Sequence, residues 1–210
     1  MVYSTVLFDL DGTLIDPFEG ITSCAQYALA HFGINTDKQD LKCFIGPPLR
    51  ESFPQYYGLD KEQTEIAIEK YRERFQPQGV YENVLYDGVI HMLERLKAQG
   101  KTIILATSKP EVYAKKILVH HGIDKYFSFV CGATLDGRID SKTEVIAHIL
   151  REMNLDPKAC VMVGDREHDV TGALNNGIDA VGVLWGYGSR DELIQSGADE
   201  VFETIDDLLI

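Results

Sequence analysis

Outside residues 16–82, short apolar runs alternate along the chain with stretches of helical periodicity. The apolar runs predict strands at Thr5–Phe8, Thr102–Ala106, Phe127–Cys131, Cys160–Val163 and Ala180–Leu184, with a weaker edge strand near Glu200–Phe202. The helical patterns between them cover Val89–Gln99, Glu111–His121, Thr143–Asn154 and Asp169–Asn176. Strands that alternate with helices in this way predict an α/β fold with a parallel sheet covered by helices.

The region from about Asp16 to Tyr81 breaks this rhythm, because it contains no convincing strand pattern. Its helical stretches are Glu19–Phe32, Lys38–Phe44, Leu49–Tyr57 and Glu62–Gln76. Such helices must bury their apolar faces against one another or against the sheet. The sequence therefore predicts a helical insertion after the first strand.

Composition places the chain among folded globular proteins, with 45% hydrophobic and 25% charged residues. Its 20 Lys and Arg against 33 Asp and Glu give a formal net charge of −13. Binding to nucleic acid polymers and to anionic membranes both depend on Lys and Arg, so an acidic chain argues against both classes of partner.

The four cysteines are scattered, without a C-x-x-C pair or a zinc-ligand spacing: Cys24, Cys43, Cys131 and Cys160. We expect reduced, structural thiols, as is usual in the cytoplasm. The N-terminal residues resemble neither a signal peptide nor a membrane span. The expected protein is cytoplasmic, and either a monomer or a homodimer.

The first predicted strand ends in Asp9-Leu10-Asp11-Gly12-Thr13. Strand alternation directs Asp9 and Asp11 the same way, and carboxylates so close repel one another unless a cation lies between them or one is protonated. Mg²⁺ prefers such oxygen ligands. A plain Asp-Gly turn explains the same residues equally well.

Three further polar clusters follow strands or begin helices. Asp165 and Asp169 follow the strand at Cys160–Val163, where Asp169 also suits a helix N-terminus. Lys142 lies inside a Ser141–Glu144 capping box, where a cation opposes the helix dipole and suggests a nearby anion. The last cluster, at residues 107–110, has the sequence Thr-Ser-Lys-Pro and follows a predicted strand. Its two hydroxyl groups are expected either to bind an oxyanion or to cap the next helix.

All four clusters are predicted at the carboxyl edge of one parallel sheet, which is where ligands bind in such folds. If the strands before Asp9 and Asp165 are neighbours, Asp9, Asp11 and Asp165 converge on one point. One shared site explains the four clusters better than four independent local features.

These motifs resemble those of the haloacid dehalogenase-like superfamily of phosphotransferases, in order and across essentially the whole chain. The matching residues are D-x-D-G-T at 9–13, Thr107, Lys142 and G-D-x-x-x-D at 164–169. The resemblance implies a Rossmann-like core of residues 1–15 and 83–210, with an inserted all-helical cap at 16–82. Within the superfamily, the chain is similar to phosphoglycolate phosphatases and to related 5′-nucleotidases.

By this resemblance, Asp9 is the nucleophile that forms an aspartyl-phosphate. Asp11 protonates the leaving group and then activates water. Thr107, Ser108 and Lys142 bind the phosphoryl group.

The implied cofactor is Mg²⁺. The expected metal residues are Asp9, Asp11 (through its backbone carbonyl), Asp165 and Asp169, the last of which also orients the metal's surroundings.

Asp11 favours phosphate esters over dehalogenation, because an alkoxide leaving group needs a proton and a halide does not. The expected substrate is a small phosphorylated metabolite such as 2-phosphoglycolate or a nucleoside 5′-monophosphate. A sugar phosphomutase and a non-catalytic binding protein remain the alternatives.

The cap is expected to set substrate choice, with Arg50 as its candidate anion contact. Lys109 is expected either to bind phosphate or to lie on the surface at a helix start. For Trp185 and Tyr187 loop packing is expected, with base stacking or dimer contact as alternatives.

Overall fold

The computed structural model describes residues 3–208. The predicted core range includes residues 1–2 and 209–210, which lie outside the described part. The chain divides into two compact units, one running up to Asp16 and again from Leu85 onward, the other covering Pro17–Val84. Among the described residues, no helix combines the length and the apolar character that crossing a membrane requires.

The strands are β1 (Thr5–Phe8), β2 (Ile15–Asp16), β3 (Val84–Leu85), β4 (Thr102–Pro110), β5 (Phe129–Ala133), β6 (Cys160–Gly164), β7 (Asp179–Val183) and β8 (Glu200–Phe202). The helices are α1 (Phe18–Ala30), α2 (Leu49–Tyr57), α3 (Lys61–Phe75), α4 (Val89–Ala98), α5 (Glu111–His120), α6 (Lys142–Met153), α7 (Glu167–Leu174) and α8 (Arg190–Gln195). Short 3₁₀ turns cover Lys38–Phe44, Gly79–Tyr81, Asp124–Tyr126 and Pro157–Ala159.

The core sheet has six parallel strands in the order β5-β4-β1-β6-β7-β8, and β2 pairs with β3 in a separate two-stranded sheet. The predicted α/β fold with a parallel sheet is therefore confirmed. Strand β1 lies between β4 and β6, with Phe8 opposite both Leu105 and Val163. The residues that follow these three strands thus share one edge of the sheet.

Both faces of the sheet are buried, because successive residues of β1 such as Val6 and Leu7 are fully inaccessible to solvent. On one face Leu7 packs with Met162 of β6, Val145 of α6 and Val170 of α7 in a continuous apolar cluster. Buried strands of this kind read as unbroken apolar runs, which is why they were recognisable in the sequence.

Several predicted bounds were wrong. Strand β4 continues to Pro110 rather than ending at Ala106, and β5 is Phe129–Ala133 rather than Phe127–Cys131, because Phe127 and Ser128 follow a 3₁₀ turn. Helix α7 begins at Glu167 rather than Asp169. Helix α8 was missed, because six residues capped by Ser189 show too little periodicity.

The second unit, Pro17–Val84, is built from α1, α2, α3 and the 3₁₀ turn at Lys38–Phe44. Its interior holds Phe44 and Phe53, whose ring centroids lie 4.9 Å apart. Helix α3 begins with a capping box in which Asp60 and Gln63 exchange hydrogen bonds. Helix α3 contacts both α1 and α2 within the unit.

Candidate active site

The turn after β1 places Asp9 and Asp11 at the edge of the sheet. The Asp9 N–H donates to the carbonyl oxygen of Val163 at 3.0 Å, which continues the pairing of β1 with β6. Gly12 has a φ of +88°, and a β-carbon there would approach Asp165 Oδ2 to 2.2 Å. The D-x-D-G turn thus requires glycine both for its backbone conformation and for the closeness of Asp165.

Lys142 connects two of these acidic side chains. Its ammonium nitrogen lies 2.6 Å from Asp9 Oδ1 and 2.7 Å from Asp169 Oδ1, and it donates to the carbonyl oxygen of Ala106 at 2.8 Å. Burial alone would lower the pKa of Lys142, but the carboxylates of Asp169 and Asp9 raise it above its usual value. The expected anionic neighbour of this lysine is therefore confirmed as a pair of aspartates.

Asp165 is fully buried at the end of β6. Its Oδ1 accepts from the hydroxyl of Thr13 at 3.2 Å, and its Oδ2 accepts from the N–H of Tyr187 at 2.8 Å. Burial raises the pKa of Asp165 well above its usual range, and the charges of Asp169 and Asp9 add to this effect.

Asp9, Asp165 and Asp169 form a cluster that suits a metal ion. One carboxylate oxygen from each lies within 4.8 Å of the others, and all three side chains are buried. The Oδ2 of Asp169 also accepts from the N–H of Arg166 at 3.1 Å, and burial raises the pKa of this carboxyl. Contrary to the prediction from alternation, the carboxylate of Asp11 is not part of this cluster.

The charge balance of the cluster fits a divalent cation. When ionised, its three carboxylates, those of Asp9, Asp165 and Asp169, carry three negative charges, and the ammonium group of Lys142, which binds two of them, carries one positive charge. The formal charge of this group is then −2, and buried charges are costly unless they are compensated. Carboxylate oxygens are the ligands that Mg²⁺ prefers.

Asp11 binds a lysine of its own. Its Oδ2 lies 2.7 Å from the ammonium nitrogen of Lys109, whose side chain is only 7% exposed. The other oxygen, Oδ1, is buried and has no hydrogen-bond partner among the residues that the structure describes. Burial raises the pKa of the Asp11 carboxyl, although Lys109 opposes this rise. Of the two alternatives expected for Lys109, phosphate binding or a surface position, the surface position is therefore wrong.

The two hydroxyl residues after the apolar part of β4 differ in burial. Thr107 is buried, and its Oγ1 accepts from the N–H of Lys109 at 3.2 Å. Ser108 is partly exposed. Because β4 and β1 are paired, with Leu105 opposite Phe8, Thr107 lies in the strand next to the one that precedes Asp9.

Arg50 lies on α2, in the second unit. Its Nε donates to Oε1 of Glu65 at 2.9 Å and its Nη2 donates to Oε2 at 3.3 Å. This ion pair joins α2 to α3 and gives the guanidinium group a carboxylate partner within its own unit.

The loop after β7 packs against the site, as expected for Trp185 and Tyr187, but the sequence did not specify the partners of these residues. Trp185 Nε1 donates to the carbonyl oxygen of Thr13 at 2.9 Å, and the Tyr187 hydroxyl donates to Asp16. A β-carbon on Gly186 would lie 2.3 Å from the carbonyl oxygen of Gly12. The alternation of glycine and aromatic residues was the available signal for this close packing.

The match to known proteins agrees with this geometry. Residues 6–183 match the family of haloacid dehalogenase-like hydrolases, and the chain belongs to that family. A 5′-nucleotidase of Pseudomonas aeruginosa is 47% identical over 192 residues, covering 91% of this chain and 87% of the relative. The predicted family and the assignment to the hydrolases of phosphoric monoesters are thereby confirmed.

Other relatives carry different names. The tyrosine-protein kinase PtkA of Mycobacterium tuberculosis is 43% identical over 206 residues, covering 97% of this chain and 70% of the relative. A phosphoglycolate phosphatase of Colwellia psychrerythraea is 31% identical, covering 98% and 95%. The crystal structure of a predicted phosphatase from Clostridium acetobutylicum superposes with a TM-score of 0.97 at 42% identity, covering 99% and 97%.

Proposed function

We propose that this chain is a Mg²⁺-dependent phosphomonoesterase that hydrolyses a small phosphorylated metabolite through an aspartyl-phosphate on Asp9. The observation that carries the proposal is the different surroundings of the two aspartates after β1. Asp9 lies among Lys142 and two further carboxylates, whereas Asp11 binds Lys109 and has one buried oxygen that accepts no hydrogen bond from the described part of the chain. These different surroundings suit a nucleophile at Asp9 and a proton donor at Asp11.

In the first step a carboxylate oxygen of Asp9 forms a bond to phosphorus while the bond to the leaving oxygen breaks. The Lys142 ammonium and the Thr107 hydroxyl bind the phosphoryl oxygens and stabilise their charge. Asp11 gives its proton to the leaving alkoxide, and the raised pKa of this carboxyl favours the protonated form that the step needs. Ser108 is a proposed further contact to the phosphoryl group.

In the second step Asp11, now ionised, takes a proton from water as the water oxygen attacks phosphorus. The bond between Asp9 and phosphorus breaks, and inorganic phosphate leaves. Asp9, Asp165, Asp169 and the backbone carbonyl of Asp11 are the proposed ligands of the metal. When bound, Mg²⁺ neutralises charge on the transferring phosphoryl group.

The proposed substrate class is a small phosphorylated metabolite, with a nucleoside 5′-monophosphate or 2-phosphoglycolate as the first choices. Relatives named 5′-nucleotidase and phosphoglycolate phosphatase support this range. Arg50 is the proposed anion contact from the helical unit. We further propose a cytoplasmic location, a monomer or homodimer, and no role for nucleic acid polymers or membranes.

A second candidate is transfer of the phosphoryl group to an acceptor other than water, which the relative named as a tyrosine-protein kinase favours. Both reactions share the aspartyl-phosphate and differ in what attacks it. A sugar phosphomutase would likewise return the phosphoryl group to a sugar.

The test is a panel of phosphorylated metabolites with Mg²⁺, with and without EDTA, in which inorganic phosphate is measured. The panel contains nucleoside 5′-monophosphates, 2-phosphoglycolate, pyrophosphate and a hexose 1-phosphate. We expect metal-dependent phosphate release that the Asp9→Asn variant lacks. An isomerised hexose phosphate without phosphate release would favour the mutase instead, and phosphate release that EDTA leaves unchanged would overturn the metal requirement.

A further inference from the structure

The two oxygens of the Asp11 carboxyl group have different surroundings. Oδ2 lies 2.7 Å from the ammonium nitrogen of Lys109, and both side chains are at most 10% exposed. Oδ1 is buried, and no donor within residues 3–208 forms a hydrogen bond to it. A buried polar atom without a partner is costly, so this arrangement suggests that Oδ1 is reserved for a ligand.

The backbone places Lys109 in this position through an irregularity in β4. The register of β4 on β5 shifts between Thr107 and Pro110: Thr107 pairs with Gly132, but it is Pro110 that pairs with the next residue of β5, Ala133. Such bulges redirect side chains near active sites. The Lys109 N–H donates to Oγ1 of Thr107 at 3.2 Å, which links the bulge to a proposed phosphoryl-binding residue.

Strand β5 accommodates the bulge with a glycine. A β-carbon on Gly132 would lie 2.4 Å from the carbonyl oxygen of Lys109 and 2.8 Å from the nitrogen of Glu111. The closeness of Gly132 limits where the backbone of Lys109 can lie. The position of Lys109 therefore depends on the bulge in β4, on the contact with β5 and on the ion pair with Asp11.

We infer that Lys109 is a positioning residue, which binds Oδ2 of Asp11 so that Oδ1 is the oxygen that transfers the proton to the leaving group. This inference rests on the proposed function and adds to it a residue that makes the site effective on poor leaving groups. Lys109 itself forms no bond to the substrate and gives up no proton.

Substrates that differ in their leaving group should respond differently to the loss of Lys109. When the bond between phosphorus and an alkyl oxygen breaks, the electron pair goes to that oxygen and the proton of Asp11 Oδ1 must reach it. A dinitrophenolate leaves without a proton, so its departure does not depend on the orientation of Asp11. A lysine that bound the phosphoryl group directly would instead affect both kinds of substrate equally.

The experiment measures kcat/KM of the wild type and of Lys109→Met with glycerol 2-phosphate and with 2,4-dinitrophenyl phosphate, at saturating Mg²⁺. We use kcat/KM because it reports on steps up to the departure of the leaving group and excludes hydrolysis of the intermediate. We expect Lys109→Met to lose about 10- to 100-fold with glycerol 2-phosphate, since misplacing a catalytic group by about 1 Å costs this much. The loss with 2,4-dinitrophenyl phosphate should be less than about threefold.

Two further variants complete the test. Lys109→Arg keeps a cation and should recover part of the activity on glycerol 2-phosphate, and Lys116→Met, which removes an exposed lysine of α5, should match the wild type on both substrates. Equal losses on both substrates in a folded Lys109→Met protein would overturn the inference. If the wild type hydrolyses neither substrate in the presence of Mg²⁺, the proposed function fails instead.

Discussion

The backbone N–H of Tyr187 donates to Oδ2 of Asp165, across 2.8 Å. This bond holds one oxygen of a proposed metal ligand from the loop after β7. The next residue, Gly188, lies so close that a β-carbon there would approach the carbonyl oxygen of Asp165 to 1.8 Å. The loop and the site are thus in direct backbone contact.

Gly188→Ala should therefore displace this loop from Asp165. We expect a loss of about 1–3 kcal/mol in unfolding free energy from the added methyl group. We also expect kcat/KM to fall by about 100-fold, because Asp165 moves with the loop. Chemical denaturation and phosphatase assays measure the two effects.

The matched control is Gly177→Ala. Gly177 has a φ of +69°, but a β-carbon there would have no neighbouring atom of the described residues within 4 Å. This variant should lose about 1–2 kcal/mol from backbone strain and keep the wild-type kcat/KM. Equal activity losses in both variants would show that stability, rather than the position of Asp165, governs activity.

Lys142→Met should destabilise the protein strongly. The ammonium group is buried between Asp9 and Asp169, and removing it leaves two buried carboxylates without a counter-charge. Breaking a buried ion pair in this way costs about 3–5 kcal/mol, whereas removing the exposed lysine of the pair Lys115–Glu111 should cost less than about 0.5 kcal/mol. A Lys142→Met variant as stable as Lys115→Met would contradict this account.

Without a divalent cation, the contribution of three buried aspartates to stability should fall as the pH rises above the ordinary pKa of an aspartate. Asp11, Asp165 and Asp169 all have pKa values raised by burial above the ordinary 3.8. Between 3.8 and these raised values the folded state binds more protons than the unfolded state, so a rise in pH favours unfolding.

A bound cation stabilises the ionised carboxylates and so opposes this fall. Thermal unfolding in EDTA should therefore show a steeper decrease in stability across this pH window than unfolding in saturating Mg²⁺. Parallel pH profiles in the two buffers would argue against metal binding by these aspartates.

Arg50→Ala should raise KM about tenfold or more if its guanidinium contacts the substrate anion, since a hydrogen bond to a charged group contributes about 1.5–3 kcal/mol. Glu65→Ala breaks the same ion pair but leaves Arg50 in place, so it should keep KM unchanged. A similar KM in both variants would assign Arg50 a structural role.

The sequence predicted the strands that carry the site because β1, β4 and β6 are buried on both faces. Their apolar runs located Asp9 and Asp165 at strand ends. We expected these aspartates to converge if their strands were neighbours, and β1 does pair with β6. Lys142 stood out because a cation in the first turn of a helix opposes the helix dipole, and the motifs of the family then matched the same residue.

The partners of Lys109 and the loop at Trp185–Gly188 could not be predicted in this way. The ion pair of Lys109 with Asp11 depends on a bulge after Thr107, and polar residues followed by proline do not predict a continuing strand. Likewise, the contact of Gly188 with Asp165 depends on which strands are neighbours, which local periodicity does not encode.

We propose that Asp9 is phosphorylated and that Asp11 activates the water which hydrolyses the intermediate. The most direct measurement is the time course of dinitrophenolate release from 2,4-dinitrophenyl phosphate by Asp11→Asn with Mg²⁺. This substrate needs no proton donor for the first step, so Asp9 can still be phosphorylated. The second step is slow because Asp11→Asn removes the base that activates water. We predict a burst of one equivalent per enzyme followed by slow turnover, and no burst in Asp9→Asn. Linear release by Asp11→Asn from the start at the wild-type rate, or an equal burst in Asp9→Asn, would contradict the account.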